Sequence, residues 1–346
     1  MSLNDLILAR IATDGPLRVD EYMALCLTHP SLGYYTTRDP LGQAGDFTTA
    51  PEISQMFGEL VGLWLAQTWL DRGAPEGILV ELGPGRGTLM ADILRVTRAV
   101  PDLHARLSVH LVEVSGPLRA RQRATLEGQS ITWVDRVEDL PDAPLFLVAN
   151  EFFDALPIRQ FQATDAGWAE RLIGAEGARL SFGLAPASQS APLTRRFGPQ
   201  SPGTVVESCA AAEAVTAQIA ARLIGQGGAA LIIDYGAWQG TGETLQALCD
   251  HSFVDPLSNP GQADLTAHVQ FAPLAPQPLT RGFATQGAFL AALGVRERAA
   301  QLAPRDPGAP GAAQRLTAPD QMGDLFKVLG LAAPRTPALP GLEPVT

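Results

Sequence analysis

Directly after an apolar run at residues 78–82 the chain reads Glu81-Leu82-Gly83-Pro84-Gly85-Arg86-Gly87-Thr88, and a helical pattern follows over residues 88–97. Glycines at that spacing let a turn pass tightly and let the backbone approach a ligand that a Cβ would exclude. A dinucleotide fingerprint would place a glycine at position 88, where Thr88 stands. An acid two residues before the first glycine suits a positive group better than the pyrophosphate that such turns seat on a helix N-terminus. A glycine-rich turn is also simply a way to pass from strand to helix, so its companions decide its meaning.

One helix and one strand later stands Glu113. A carboxylate at that place in a Rossmann-like sheet accepts hydrogen bonds from both ribose hydroxyls, in NAD enzymes as in others. Glu113 therefore argues for a nucleoside, and the cation-seating Glu81 for S-adenosylmethionine (SAM), whose methionyl end carries an ammonium and a sulfonium. The candidate cofactor residues are Glu81, Gly83, Gly85, Gly87, Thr88, Glu113 and Asp135. Trp133 and Asp135 follow the third apolar run and are placed to border an adenine, or are plain core and surface residues. The fourth run enters Asn150-Glu151-Phe152-Phe153-Asp154-Ala155-Leu156-Pro157. The Asn/Asp-Pro-Pro-Tyr signature of many amino-methylating enzymes is absent there. Two carboxylates three residues apart can instead hold a guanidinium, which is planar, forked and permanently charged. Asn150, Glu151 and Asp154 are accordingly the candidate catalytic residues, with Asp154 as a helix N-cap the plainer alternative.

The elements that must position these groups are legible as alternation. Residues 78–82, 109–114, 131–134 and 145–149 are short apolar runs of the kind buried in parallel sheets, with helical stretches at 88–97 and 117–126 between them. That order implies a doubly wound α/β sheet, and ligands in such sheets lie beyond the carboxyl ends of the strands. Helical spacing returns at 209–224, a buried strand is expected at 229–233, a short helix at 287–293 and a last strand at 325–331. The division expected is an N-terminal helical lid at 1–70, a core at 71–157 and 206–346, and an inserted or edge β-rich substructure at 158–205.

Composition excludes several classes. Apolar residues make up 46% and charged residues 18%, which suits a globular interior. No apolar run approaches the ~20 residues of a membrane span. The net charge is −11 with scattered basic residues, so no nucleic-acid partner is expected and a cationic partner fits better. Cys26, Cys209 and Cys249 are odd in number and form no C-x-x-C, so neither a disulfide framework nor a zinc site is expected. With no basic-plus-apolar leader, and with Asp5, Asp14, Asp20 and Glu21 near the start, the expected location is the cytoplasm.

The chain resembles the MidA family of SAM-dependent methyltransferases over nearly its whole length. The carriers are His29-Pro30 with Gly33-Tyr34-Tyr35, then Gly45-Asp46-Phe47-Thr48-Thr49-Ala50-Pro51-Glu52-Ile53-Ser54-Gln55, then the turn from Glu81 and Glu113-Val114-Ser115. They continue through the stretch from Asn150, Asp234-Tyr235-Gly236, Gly261-Gln262-Ala263-Asp264-Leu265-Thr266-Ala267-His268-Val269, and Met322-Gly323 with Phe326-Lys327-Val328. The resemblance implies a class I methyltransferase fold. It also implies that Gly45, Asp46 and Phe47 lie over the cofactor as part of the lid. For mitochondrial members it implies symmetric dimethylation of an arginine on the 49-kDa-type subunit of respiratory complex I during assembly. The same fold also serves small-molecule methyltransferases, and a SAM-binding assembly chaperone is a further alternative. There is one departure: the family leads one to expect an acid after His268-Val269, and here stands Gln270. His268 itself reads as a packed or hydrogen-bonding histidine rather than a general base.

Overall fold

A computed structural model of the protein describes residues 1–37, 49–249 and 251–345. Its centre is a sheet whose strands we label β1 (Gly77–Leu82), β2 (Leu107–Val112), β3 (Ile131–Val134), β4 (Leu145–Asn150), β5 (Gly228–Ala237), β6 (Thr280–Thr285), β7 (Phe326–Ala332) and β8 (Glu343–Pro344). Spatially they run β8-β6-β7-β5-β4-β1-β2-β3. The pairs from β3 to β5 are parallel, whereas β7 lies antiparallel between β5 and β6. The expected four-strand alternation thus holds, while the expected last strand is followed by the short β8, whose Glu343 and Pro344 offer no apolar run to signal it.

Four helices matter below: α1 (Gln55–Asp71), α2 (Thr88–Thr97), α3 (Gly116–Thr125) and α4 (Ala210–Gln226). Side chains alternate across the pleat. Leu79, Phe146, Val148, Leu231 and Ile233 face a core shared with α1 and α2. Val80, Leu82, Leu147, Ala149 and Ile232 face a second core under α4. Strands covered on both faces need no polar alternation, which is why they read as unbroken apolar runs. Helix α1, which the sequence division assigned to the lid, is a core helix: Met56, Phe57, Leu60, Val61 and Trp64 are buried. It approaches α2 so closely that a Cβ on Gly58 would sit 2.5 Å from Asp92 Cβ, and one on Gly62 2.7 Å from Val96 Cγ1.

The residues between 158 and 205 contribute strands Arg159–Thr164, Gly167–Glu176 and Arg179–Leu184 to an antiparallel sheet, which Leu17–Arg18 and Val205–Ser208 join. The N-terminal helices Leu3–Asp14 and Val19–Thr28 share a core with this sheet and with Leu245 and Leu265. The order reverses between β1 and β4, where the chain departs to opposite sides. That crevice, at the carboxyl ends, is where such sheets bind ligands.

Candidate active site

The turn from β1 to α2 crosses this crevice. Gly83, Gly85 and Gly87 have φ of +57°, +52° and +84°, a region that side-chain-bearing residues avoid. At Gly83 a Cβ would also stand 2.8 Å from the Phe152 ring. The Gly83 N–H donates to Val112 O (3.0 Å) and the Gly87 N–H to Pro84 O (2.7 Å), so the turn is anchored to β2 and closed on itself. Glu81 points into the protein and is 3% exposed. Burial pushes its carboxyl up to about 8, and the Met90 N–H in the first turn of α2 offsets only part of that. Among the described residues Glu81 Oε2 has no hydrogen-bond partner, and neither has Asn150 Oδ1 at the end of β4. Both residues line a cavity together with Glu52, Thr88 and Glu151. Two buried acceptors without donors cost free energy unless something brings N–H groups to them. The methionyl ammonium of SAM brings three and a positive charge, so these residues fit the cofactor. Thr88 is tied to the entry side: its Oγ1 donates to Glu52 Oε1 at 2.6 Å.

Glu113 follows β2 directly and is 8% exposed. Its Oε1 accepts the Ser115 N–H (2.8 Å) and its Oε2 accepts Gln122 Nε2 (3.2 Å). A carboxylate has about four acceptor positions, so roughly two remain for a pair of hydroxyls. Burial raises its proton affinity, opposed by those donors and by the Arg119 charge. Asp135, just past β3, stands at the outer rim with a 67% exposed side chain and pairs with Arg119 Nη2 at 2.5 Å. Trp133 turns its indole Nε1 inward, donating to Gln122 Oε1 at 2.8 Å. Replacing Glu113 by Ala is expected to weaken SAM by ~1–3 kcal/mol, the scale of hydrogen bonds to a charged group. Calorimetry checks this, and unchanged affinity removes Glu113 from the site.

Past β4 the chain makes a turn rather than a helix, so Asp154 caps no helix and the plainer alternative does not hold. A different device shapes this turn. Asp234, fully buried within β5, accepts the N–H groups of Phe152 (3.2 Å), Phe153 (2.9 Å) and Asp154 (3.2 Å) on Oδ2, and that of Tyr235 (2.9 Å) on Oδ1. This cradle holds Glu151 at φ +51°, a left-handed conformation that costs a non-glycine residue ~1–2 kcal/mol. The sequence marks Asp234 only through the Asp234-Tyr235-Gly236 resemblance; an acid closing an apolar strand was the available signal.

Glu151 and Asp154 are electrostatically coupled but differently placed. Glu151 lines the cavity, and its Oε1 accepts the Ala50 N–H (3.1 Å) and Asn150 Nδ2 (3.0 Å). Burial, reinforced by Asp154, pushes its carboxyl up to about 7. Asp154 is 7% exposed and hydrogen-bonded by the Tyr235 hydroxyl, with Oδ1 unpartnered among the described residues and its carboxyl pushed up to about 6 by burial. The Tyr35 hydroxyl donates to both oxygens of Asp264 (2.9 and 3.1 Å). Gly45, Asp46 and Phe47 lie outside the described residues. His268 is exposed and meets the Tyr235 ring edge-on at 5.3 Å. Gln270 donates to Glu207 O (3.2 Å) and Gly240 O (3.3 Å) and accepts Arg196 Nη2 (3.3 Å), so an acid there would lose two donated bonds.

Comparison with known proteins agrees with this geometry. A family model described as S-adenosyl-L-methionine-dependent methyltransferase matches residues 60–288. The chain belongs to this family. A relative from Danio rerio, named protein arginine methyltransferase NDUFAF7, mitochondrial, is 37% identical over 94% of this chain and 86% of its own length. Its homologue from Drosophila melanogaster is 38% identical over 95% of this chain and 84% of its own. A crystal structure of a superfamily member from Burkholderia thailandensis bound to S-adenosyl-homocysteine superposes with a TM-score of 0.86 at 30% identity, covering 98% of this chain and 94% of that one. The fold is therefore that of a class I methyltransferase, the cofactor is SAM, and the protein is a SAM-dependent methyltransferase. One expectation is overturned: the matched relatives are named as mitochondrial proteins, against the cytoplasmic location read from the N-terminus.

Proposed function

We propose that this methyltransferase acts on an arginine guanidinium of a protein, and that the acceptor is a 49-kDa-type complex I subunit. The observation that carries the arginine reading is Glu151, a buried acid that lines the cofactor cavity with one carboxylate oxygen already held by the protein, its charge reinforced by the buried Asp154 three residues on. The relatives' names support the same acceptor class.

Bound SAM supplies an electrophilic methyl group on its sulfonium. The work of the chain is to hold the acceptor nitrogen in line with that methyl, since positioning carries most of the rate in a bimolecular transfer. Arginine is a poor nucleophile because its charge is delocalised over three nitrogens and its pKa exceeds ~12. Glu151, fixed through Oε1 to Ala50 and Asn150, presents its other oxygen to the guanidinium. An ionised Glu151 draws the positive charge toward the N–H groups it accepts and leaves electron density on the attacking nitrogen. When the N–C bond forms and the S–C bond breaks, that nitrogen must shed a proton. A carboxyl poised at about 7 can take it and return it to solvent.

Methyl-labelled SAM offered with peptides identical except for arginine or lysine at the acceptor position tests the reading. Label should enter the arginine peptide alone. Transfer to lysine, or to small molecules of a peptide-free extract, contradicts it.

A further inference from the structure

The cofactor residues recognised above lie on three separate elements, and one side chain joins them. Gln122, on the inner face of α3, is fully buried. Its Nε2 donates to Gly85 O in the glycine turn (2.8 Å) and to Glu113 Oε2 (3.2 Å), while its Oε1 accepts the Trp133 indole N–H (2.8 Å). The backbone and stem of Gln122 also pack under the turn, 3.5 and 3.6 Å from where a Cβ on Gly87 would stand. An amide is the group this junction demands. It offers two N–H donors to a carbonyl and a carboxylate, and an acceptor to an indole that can only donate. A glutamate could still accept from Trp133, but it would face Gly85 O and Glu113 with no donor and a like charge.

We propose that Gln122 is a positioning residue for SAM: it sets the ribose-binding Glu113 relative to the glycine turn and to Trp133, and so tunes cofactor affinity without touching the acceptor. The donated bond falls on Glu113 Oε2 and, with the Ser115 N–H on Oε1, orients the carboxylate. Because three elements meet at one amide, losing it releases all three at once. The proposal rests on Glu113 being the ribose acid.

The test uses the full chain and S-adenosylhomocysteine as the calorimetric probe, with Gln122→Met, which keeps length and burial, with Glu113→Gln, and with the double variant. Gln122→Met is expected to raise the Kd about tenfold, the effect of losing a hydrogen bond to a charged group. At saturating SAM, kcat and the peptide KM should stay near wild type, which separates positioning of cofactor from general loosening of the fold. The double variant should lose less than the sum of the two single losses, because part of what Gln122 does passes through its bond to Glu113. If Glu113→Gln weakens binding and Gln122→Met does not, the positioning role is wrong while the ribose assignment stands. If neither weakens binding, the ribose assignment fails as well; additive losses also overturn the proposal. Should Gln122→Met fail to fold, Trp133→Phe removes one of the three bonds. It should raise the Kd in the same direction, and an unchanged Kd counts against the proposal.

Discussion

Glu151→Gln is expected to bind S-adenosylhomocysteine as tightly as the wild type and to methylate ~10²–10³ times more slowly, by analogy with removal of a single preorganised transition-state partner. The substitution keeps size and both contacts to Oε1, so the turn held by Asp234 should survive. What it removes is a charge that strengthens its hold on the guanidinium as the positive charge is drawn toward it. The pH dependence follows from the raised carboxyl at about 7. Below that value Glu151 is protonated and cannot pair with the cation, so the wild-type rate should climb as pH rises through about 7. In the Gln variant that limb should vanish. An equal fall in cofactor affinity and rate would move Glu151 from the acceptor to the cofactor.

Glu81→Gln is expected to act on the other partner, weakening SAM by ~1.5–3 kcal/mol, the worth of a hydrogen bond to a charged group. Glu81 is held near 8 against an ordinary value of 4.5, so at neutral pH the empty site keeps its proton. An arriving ammonium favours the carboxylate, and binding should release a proton between those values and tighten as pH rises. The sign for stability is opposite. A carboxyl whose folded value is raised stabilises the fold fully below 4.5, and that contribution is lost as pH rises through about 8. Melting of the ligand-free protein should therefore fall from pH 5 to pH 8 more steeply in the wild type than in Glu81→Gln, and saturating SAM should flatten the difference. Proton release by calorimetry in buffers of different ionisation enthalpy checks it directly. A binding heat independent of buffer, with a SAM affinity that does not change with pH, excludes Glu81 as the ammonium partner.

Much of this site was legible before the fold. Strands buried on both faces announce themselves as apolar runs, so the residues at their carboxyl ends, Glu81, Glu113 and Glu151, could be placed at the crevice from the sequence. The left-handed φ values at Gly83, Gly85 and Gly87 explain why that turn needs glycine. What did not show was the set of contacts made across the sheet. Asp234 lies 80 to 82 residues from the N–H groups it holds and Gln122 lies 37 from Gly85, and no local pattern joins such partners. The helical turn expected at Asp154 failed for a tertiary reason. Three backbone N–H groups that a helix would have left for capping are taken instead by one buried carboxylate.

The central claim is arginine methylation of a complex I subunit, and mass spectrometry of that subunit tests it most directly. Subunit isolated from host cells with the intact gene should carry a methylated arginine. The same peptide should be unmodified when the gene is deleted, and also when Glu151→Gln replaces the wild type. A methylarginine that persists in the deletion strain, or its absence from the wild type, would contradict the account.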